Sequence, residues 1–170
     1  RKPDESADSA FVERKAQAMI ASYAAQSSDF SASIELRDDL PSGLMVSGGR
    51  LLISRSTAMA KSRVEALLSH EVGVHLLTYF NGSAQGLRLF RSGLAGYEGV
   101  QEGLAVLSEY LVGGMTPERL RLIAARVVGC HAMLTGASFV ECFRLVHDLG
   151  LTPSAAFNLT LRVYRGGGLA

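Results

Sequence analysis

His70, Glu71 and His75 fall within Ser69-His70-Glu71-Val72-Gly73-Val74-His75, which sets two imidazoles and a carboxylate inside an otherwise apolar run. Neutral imidazole is a favoured zinc ligand, and a catalytic zinc takes three protein ligands and a water whose proton a neighbouring carboxylate can accept. The stretch therefore reads as the active-site helix of a zinc-dependent hydrolase, with His70 and His75 as ligands and Glu71 as general base. The familiar spacing for this chemistry is H-E-x-x-H. Here it is H-E-x-x-x-H, and at about 100° per residue an i, i+5 pair lies roughly 140° apart around a regular helix, against roughly 40° for i, i+4. A regular helix cannot offer both rings to one ion. Either a one-residue π-bulge widens the turn or the helix frays before His75; the bulge is preferred because apolar Leu76 and Leu77 suit a helix that continues, and Gly73 marks where distortion costs least.

A third ligand is expected from Glu102, on the next predicted helix in Gln101-Glu102-Gly103-Leu104-Ala105. In apolar surroundings its carboxylate is costly unless it meets a cation or a hydrogen bond, and Gly103 and Ala105 permit close helix approach. His, His and Glu with one position left open is the hydrolytic zinc arrangement. Glu98, one turn before Glu102, and Glu109, two turns after it, are candidates to orient a ligand imidazole through its second ring nitrogen. Asn81 and Gln85 follow the His helix and are candidates for substrate backbone, although for Asn81 the helix C-cap reading is preferred. Arg162 and Arg165 are spaced for one helix face and could fork onto a carboxylate. His131 and His147 have no second ligand at useful spacing, which favours core or surface roles. Gly166-Gly167-Gly168 lacks the following helix and Lys of a phosphate loop, excluding a nucleotide site. The absence of Glu-x-x-His speaks against a di-iron carboxylate bundle.

These residues need elements to hold them. Phe11, Val12, Ala16, Ile20 and Tyr23 recur at helical spacing, predicting an amphipathic helix from Ser6 to about Ser27. Alternation in 30–36, the turn Asp38-Asp39-Leu40-Pro41-Ser42-Gly43 and Gly48-Gly49 between two apolar runs predict a small sheet over 30–54, with Leu44–Val46 and Leu51–Ser54 as a hairpin. Ser56 or Thr57 is expected to cap a helix over about 59–80, with Val64, Leu67, Leu68, Val72 and Leu76 as its apolar stripe and Asn81-Gly82 as its end. The segment 82–96 reads as a partly buried loop with Arg88 and Arg91 at the surface. Helices follow over 97–112, from Thr116-Pro117-Glu118 onward, over 138–149 and from Thr152-Pro153 to Arg165. The fold class is α+β, mostly helical: a small N-terminal sheet with its hairpin, a zincin-like active-site helix, then a helical bundle.

With 170 residues, 48% of them apolar, the chain can bury a sizeable core and reads as one domain over 1–170. A net charge of +1 gives no electrostatic case for nucleic acid or an anionic membrane as the main partner. Apolar segments are interrupted before the roughly 20 residues that a membrane span requires. Cys130 and Cys142 are too few for a disulfide scaffold and read as buried free thiols of a reducing compartment, hence a cytoplasmic location.

Four strings carry a resemblance over positions 43–168: RVEALLSHEVGVHLLTYFNGSAQ, GLAGYEGVQEGLAVLSEYLVGG, GASFVECFRLV and RVYRGGGL. They resemble the central part of the bacterial QEGLA-motif proteins, described as modulators of flavohaemoglobin expression. Those are similar in turn to the microtubule-associated tyrosine carboxypeptidases, whose motif is likewise His-Glu, three residues, His, then Glu-Gly-Leu-Ala. The resemblance also implies His70, His75 and Glu102 as zinc ligands and Glu71 as base, and adds removal of a C-terminal Tyr or Phe from a peptide or protein tail. Arg162 or Arg165 would then hold the substrate carboxylate. Family members are longer on both sides, so the chain reads as the central part of a longer protein. The competing expectation is a non-hydrolytic regulatory or binding module with a structural zinc, which four filled metal positions would distinguish.

Overall fold

The computed structural model describes residues 5–40 and 43–165, and Gly166-Gly167-Gly168 and the Pro41-Ser42 portion of the predicted turn lie outside them. Contacts divide the chain between Gly114 and Met115 into two compact units. The architecture is the expected α+β, mostly helical one.

In the first unit, a short strand β1 (Ser6–Asp8) leads into helix α1 (Ser9–Ala24). The predicted helix therefore begins later than its periodicity suggested, because Asp8 caps it by accepting the Phe11 N–H. Strands β2 (Ser33–Arg37), β3 (Leu44–Ser47) and β4 (Arg50–Ser54) form a sheet in the order β2-β4-β3. The pair β3-β4 is the predicted hairpin, antiparallel with Val46 opposite Leu51, while β2 runs parallel to β4. Its turn uses Gly48 in the left-handed region (φ 58°), and a side chain on Gly49 would press within 3.0 Å of the Phe80 ring. That close approach seats the hairpin on the helix that carries the two His.

That helix starts later than expected. Residues Ala58–Ala60 form β5, antiparallel to β1, and α2 (Lys61–His70) follows without a side-chain cap. Thr57 is instead buried, its hydroxyl donating to the Gly43 carbonyl at 3.1 Å. A π-helical turn spans Glu71–Leu76, and α3 (Leu77–Ser83) continues beyond it. Asn81 and Gly82 lie inside α3 rather than ending it. Val64, Leu68, Val72, Leu76 and Phe80 all enter the core with Val12, Ala16, Leu51 and Ile53. A strict four-residue period drifts round a regular α-helix by about 40° per step. The wider π turn takes up part of that drift, which keeps Phe80 inward. Burying each such side chain fully contributes about 1.5–3 kcal/mol.

The segment 82–96 contains a short helix α4 (Leu89–Ser92), and Leu87, Leu89 and Phe90 are exposed, not partly buried as expected. Helix α5 (Glu98–Leu111) packs on α2 and ends in a Schellman motif: Gly113 takes φ 77°, and the Gly113 and Gly114 amides donate to the Tyr110 and Glu109 carbonyls.

The second unit is three helices, α6 (Pro117–Leu134), α7 (Phe139–Asp148) and α8 (Pro153–Arg165). Thr116 caps α6, and Ser138 with Glu141 forms a reciprocal capping box on α7. Ala125, Ala132, Cys142, Val146, Ala156 and Leu159 make its core. Both cysteines are free, but Cys130 is exposed because it lies on the outer side of α6, so the expectation of two buried thiols holds for Cys142 alone. Among the described residues no helix is long and apolar enough to cross a membrane.

Candidate metal centre

The π turn resolves the spacing. By inserting one residue into the turn between His70 and His75, it swings the second ring back toward the first, and the two imidazoles meet with centroids 4.9 Å apart. Gly73 lies inside this turn with no left-handed backbone, so its glycine is not demanded by conformation. Its smallness matters toward Tyr23, whose hydroxyl would lie 3.3 Å from an added Cβ.

Glu102 reaches this pair from α5. Its carboxylate oxygens stand 3.3 Å from His75 Nε2 and 3.8 Å from His70 Nε2. One ligand atom from each of the three residues falls within 4.8 Å of the others. Ligands about 2.0–2.2 Å from a tetrahedral zinc are separated by about 3.3–3.6 Å, so two imidazole nitrogens and a carboxylate in this arrangement suit such an ion with small adjustments. The Glu102 side chain is 62% exposed, whereas the sequence suggested apolar surroundings. Its neighbours Gly103 and Leu104 are themselves exposed, so α5 turns this face outward. What brings Glu102 to the imidazoles is the register of α5 on α2, not burial.

Behind the rings, His70 Nδ1 lies 2.9 Å from Glu109 Oε1. Glu109 is wholly buried, and its Oε2 accepts from Arg63 Nη1 at 3.1 Å. Arg63 Nη1 also donates to the Gly114 carbonyl at 3.2 Å. Sequence reasoning missed Arg63. The signal available was its spacing: Arg63 and His70 are seven residues apart, as are Glu102 and Glu109, so each pair shares a helix face over two turns. Glu98 is exposed at the first turn of α5, and of the two candidates it is Glu109 that meets the second ring nitrogen, Nδ1, of His70.

Burial lowers the pKa of His70 below its ordinary value; the hydrogen bond with Glu109 opposes this, and the neighbouring His75 adds to it. Glu71, half-buried next to His70, has its carboxyl pushed up to about 7, first by burial and then by the negative charges of Glu102 and Glu109. A carboxyl so placed exchanges a proton readily near neutral pH.

The remaining candidates belong to other elements. Asn81 and Gln85 are exposed beyond the π turn, and the Gln85 side-chain amide donates to the Asn81 carbonyl at 3.2 Å. Arg162 and Arg165 are exposed on α8 of the second unit. His131 and His147 are surface residues there, as expected.

A family model described as microtubule-associated tyrosine carboxypeptidase matches residues 1–170. No curated protein and no solved structure matches the chain.

Proposed function

Because the chain belongs to the microtubule-associated tyrosine carboxypeptidase family, we propose that it is a zinc-dependent carboxypeptidase that removes a C-terminal Tyr or Phe from a peptide or protein tail. The observation that carries the metal part of this reading is the convergence of His70, His75 and Glu102 beside the half-buried Glu71. His70, His75 and Glu102 would hold the ion. When bound there, zinc lowers the pKa of a water and polarises the scissile carbonyl. Glu71 takes the proton of the attacking water and passes it to the leaving amine. Glu109 keeps the His70 ring in place through Nδ1. The exposure of Glu102 leaves a solvent side to the cluster, and three protein ligands rather than four among the described residues speak for a site with an open position. Both observations disfavour a purely structural zinc.

The test is metal analysis together with a panel of peptides ending in Tyr or Phe, with free or amidated C-termini. Release of the last residue from the free peptides alone is the expected result. Equal cleavage of both would make the protein an endopeptidase, and no cleavage by zinc-loaded protein would favour the non-hydrolytic module. Arg162→Ala and Arg165→Ala test the carboxylate-binding role: a raised KM for free-carboxylate peptides at unchanged kcat is expected of a clamp.

A further inference from the structure

The metal-facing side of His70 depends on a residue that does not touch it. We propose that Arg63 is a positioning residue that fixes which nitrogen of His70 carries hydrogen and so which nitrogen is free to bind metal. A guanidinium is planar, keeps its charge, and can only donate hydrogen bonds. One Nη1 of Arg63 spans two acceptors, Glu109 Oε2 at 3.1 Å and the Gly114 carbonyl at 3.2 Å. Held in this way, Glu109 is an acceptor on its Arg63 side, and its other oxygen lies 2.9 Å from His70 Nδ1. With Glu109 a carboxylate, only one sense satisfies that contact: Nδ1–H donates and Oε1 accepts. The lone pair then sits on Nε2, the nitrogen that faces Glu102.

Arg63 sets the direction through its permanent charge: a guanidinium 3.1 Å from Oε2 of this buried carboxyl favours the carboxylate form, which can only accept from Nδ1. Without that charge, a buried carboxyl that carries its own hydrogen can also donate to Nδ1 and leave the hydrogen on Nε2. The backbone takes part as well. The Schellman end of α5 aims the Gly114 carbonyl at Arg63, so the same guanidinium ties α2 to the end of α5.

The inference rests on the zinc reading for its affinity arm only, and the two can fail separately. In metal-free wild type at pH 8, nitrogen-15 shifts of the His70 ring are expected to show hydrogen on Nδ1 alone; hydrogen on Nε2, or a mixture, overturns the proposal. Arg63→Gln is expected to give a mixture and to weaken zinc binding by about 10–100-fold. A single Nδ1–H form in Arg63→Gln, or zinc affinity unchanged while the ring becomes mixed, also overturns it. Arg63→Lys, again a donor-only cation, is expected to keep the single form and recover part of the affinity, and it carries the variant arm if Arg63→Gln does not fold. A mixed ring in Arg63→Lys overturns the proposal. Failure of the wild type to bind zinc, with the ring shifts as expected, removes the metal reading and leaves the role of Arg63 in setting the tautomer standing.

Discussion

Glu102 and Glu109 stand seven residues apart on one face of α5 and address opposite nitrogens of the same imidazole, Nε2 and Nδ1 of His70. A single helix therefore supplies both the carboxylate in front of the ring and the one behind it. Rotation or sliding of α5 against α2 would disturb both at once, which makes the α2–α5 contact the element on which the site depends.

Zinc binding should fail when that contact keeps its shape but loses its ligands. The double variant His70→Ala, Glu102→Ala is expected to retain less than a tenth of the zinc that wild type holds at equal protein concentration, measured by metal analysis after dialysis. Full retention would remove both residues from the ligand set.

Glu71→Gln should keep the metal and lose the reaction. The amide preserves size and hydrogen bonding but cannot accept the water's proton, so kcat is expected to fall about 10²–10⁴-fold. An unchanged kcat in single-turnover assays would take Glu71 out of the mechanism.

Gly114→Ala should loosen the same pair of helices. An added Cβ would sit 2.2 Å from Ala66 Cβ and 3.0 Å from the Glu109 carbonyl, and neither neighbour is the movable end of a long side chain. Overpacking of this kind costs about 1–3 kcal/mol, to be read from the denaturant midpoint. A stability equal to that of wild type would show that α2 and α5 can separate at no cost.

The α7 capping box gives a pH dependence. Hydrogen bonds from Ser138 hold the Glu141 carboxyl below its ordinary value of 4.5. A depressed folded-state pKa means stability that is present above the unfolded value and lost as pH falls through the folded one. The difference in stability between wild type and Glu141→Gln is thus expected to be full at pH 7 and to shrink below about pH 4.5, as denaturant titrations at several pH values would show. A constant difference down to pH 2 would contradict the role given to the carboxylate.

The sequence reveals what its local spacing determines. Thr116-Pro117 and Ser138 with Glu141 mark helix starts because caps act within a few residues, and the five-residue step from His70 to His75 rules out a regular helix if both rings are to meet. Strand β5 is hidden because three residues, Ala58–Ala60, become a strand only by pairing with Ser6–Asp8, far back along the chain. Arg63 is hidden for the same reason: its partner Glu109 arrives from another helix. Glu102 stands out in the sequence by its residue type and its place on the next helix, and the burial expected for it is absent.

The widened turn also leaves the segment one residue away from the common H-E-x-x-H spacing. Without Gly73 the segment would read His70-Glu71-Val72-Val74-His75, the H-E-x-x-H spacing that an ordinary α-helix accommodates. Because the surplus residue is absorbed inside a single turn, α2 and α3 on either side would keep their inward faces after such a deletion. Aligning chains of the two kinds then calls for a one-position gap in the middle of a helix, where gaps are ordinarily forbidden.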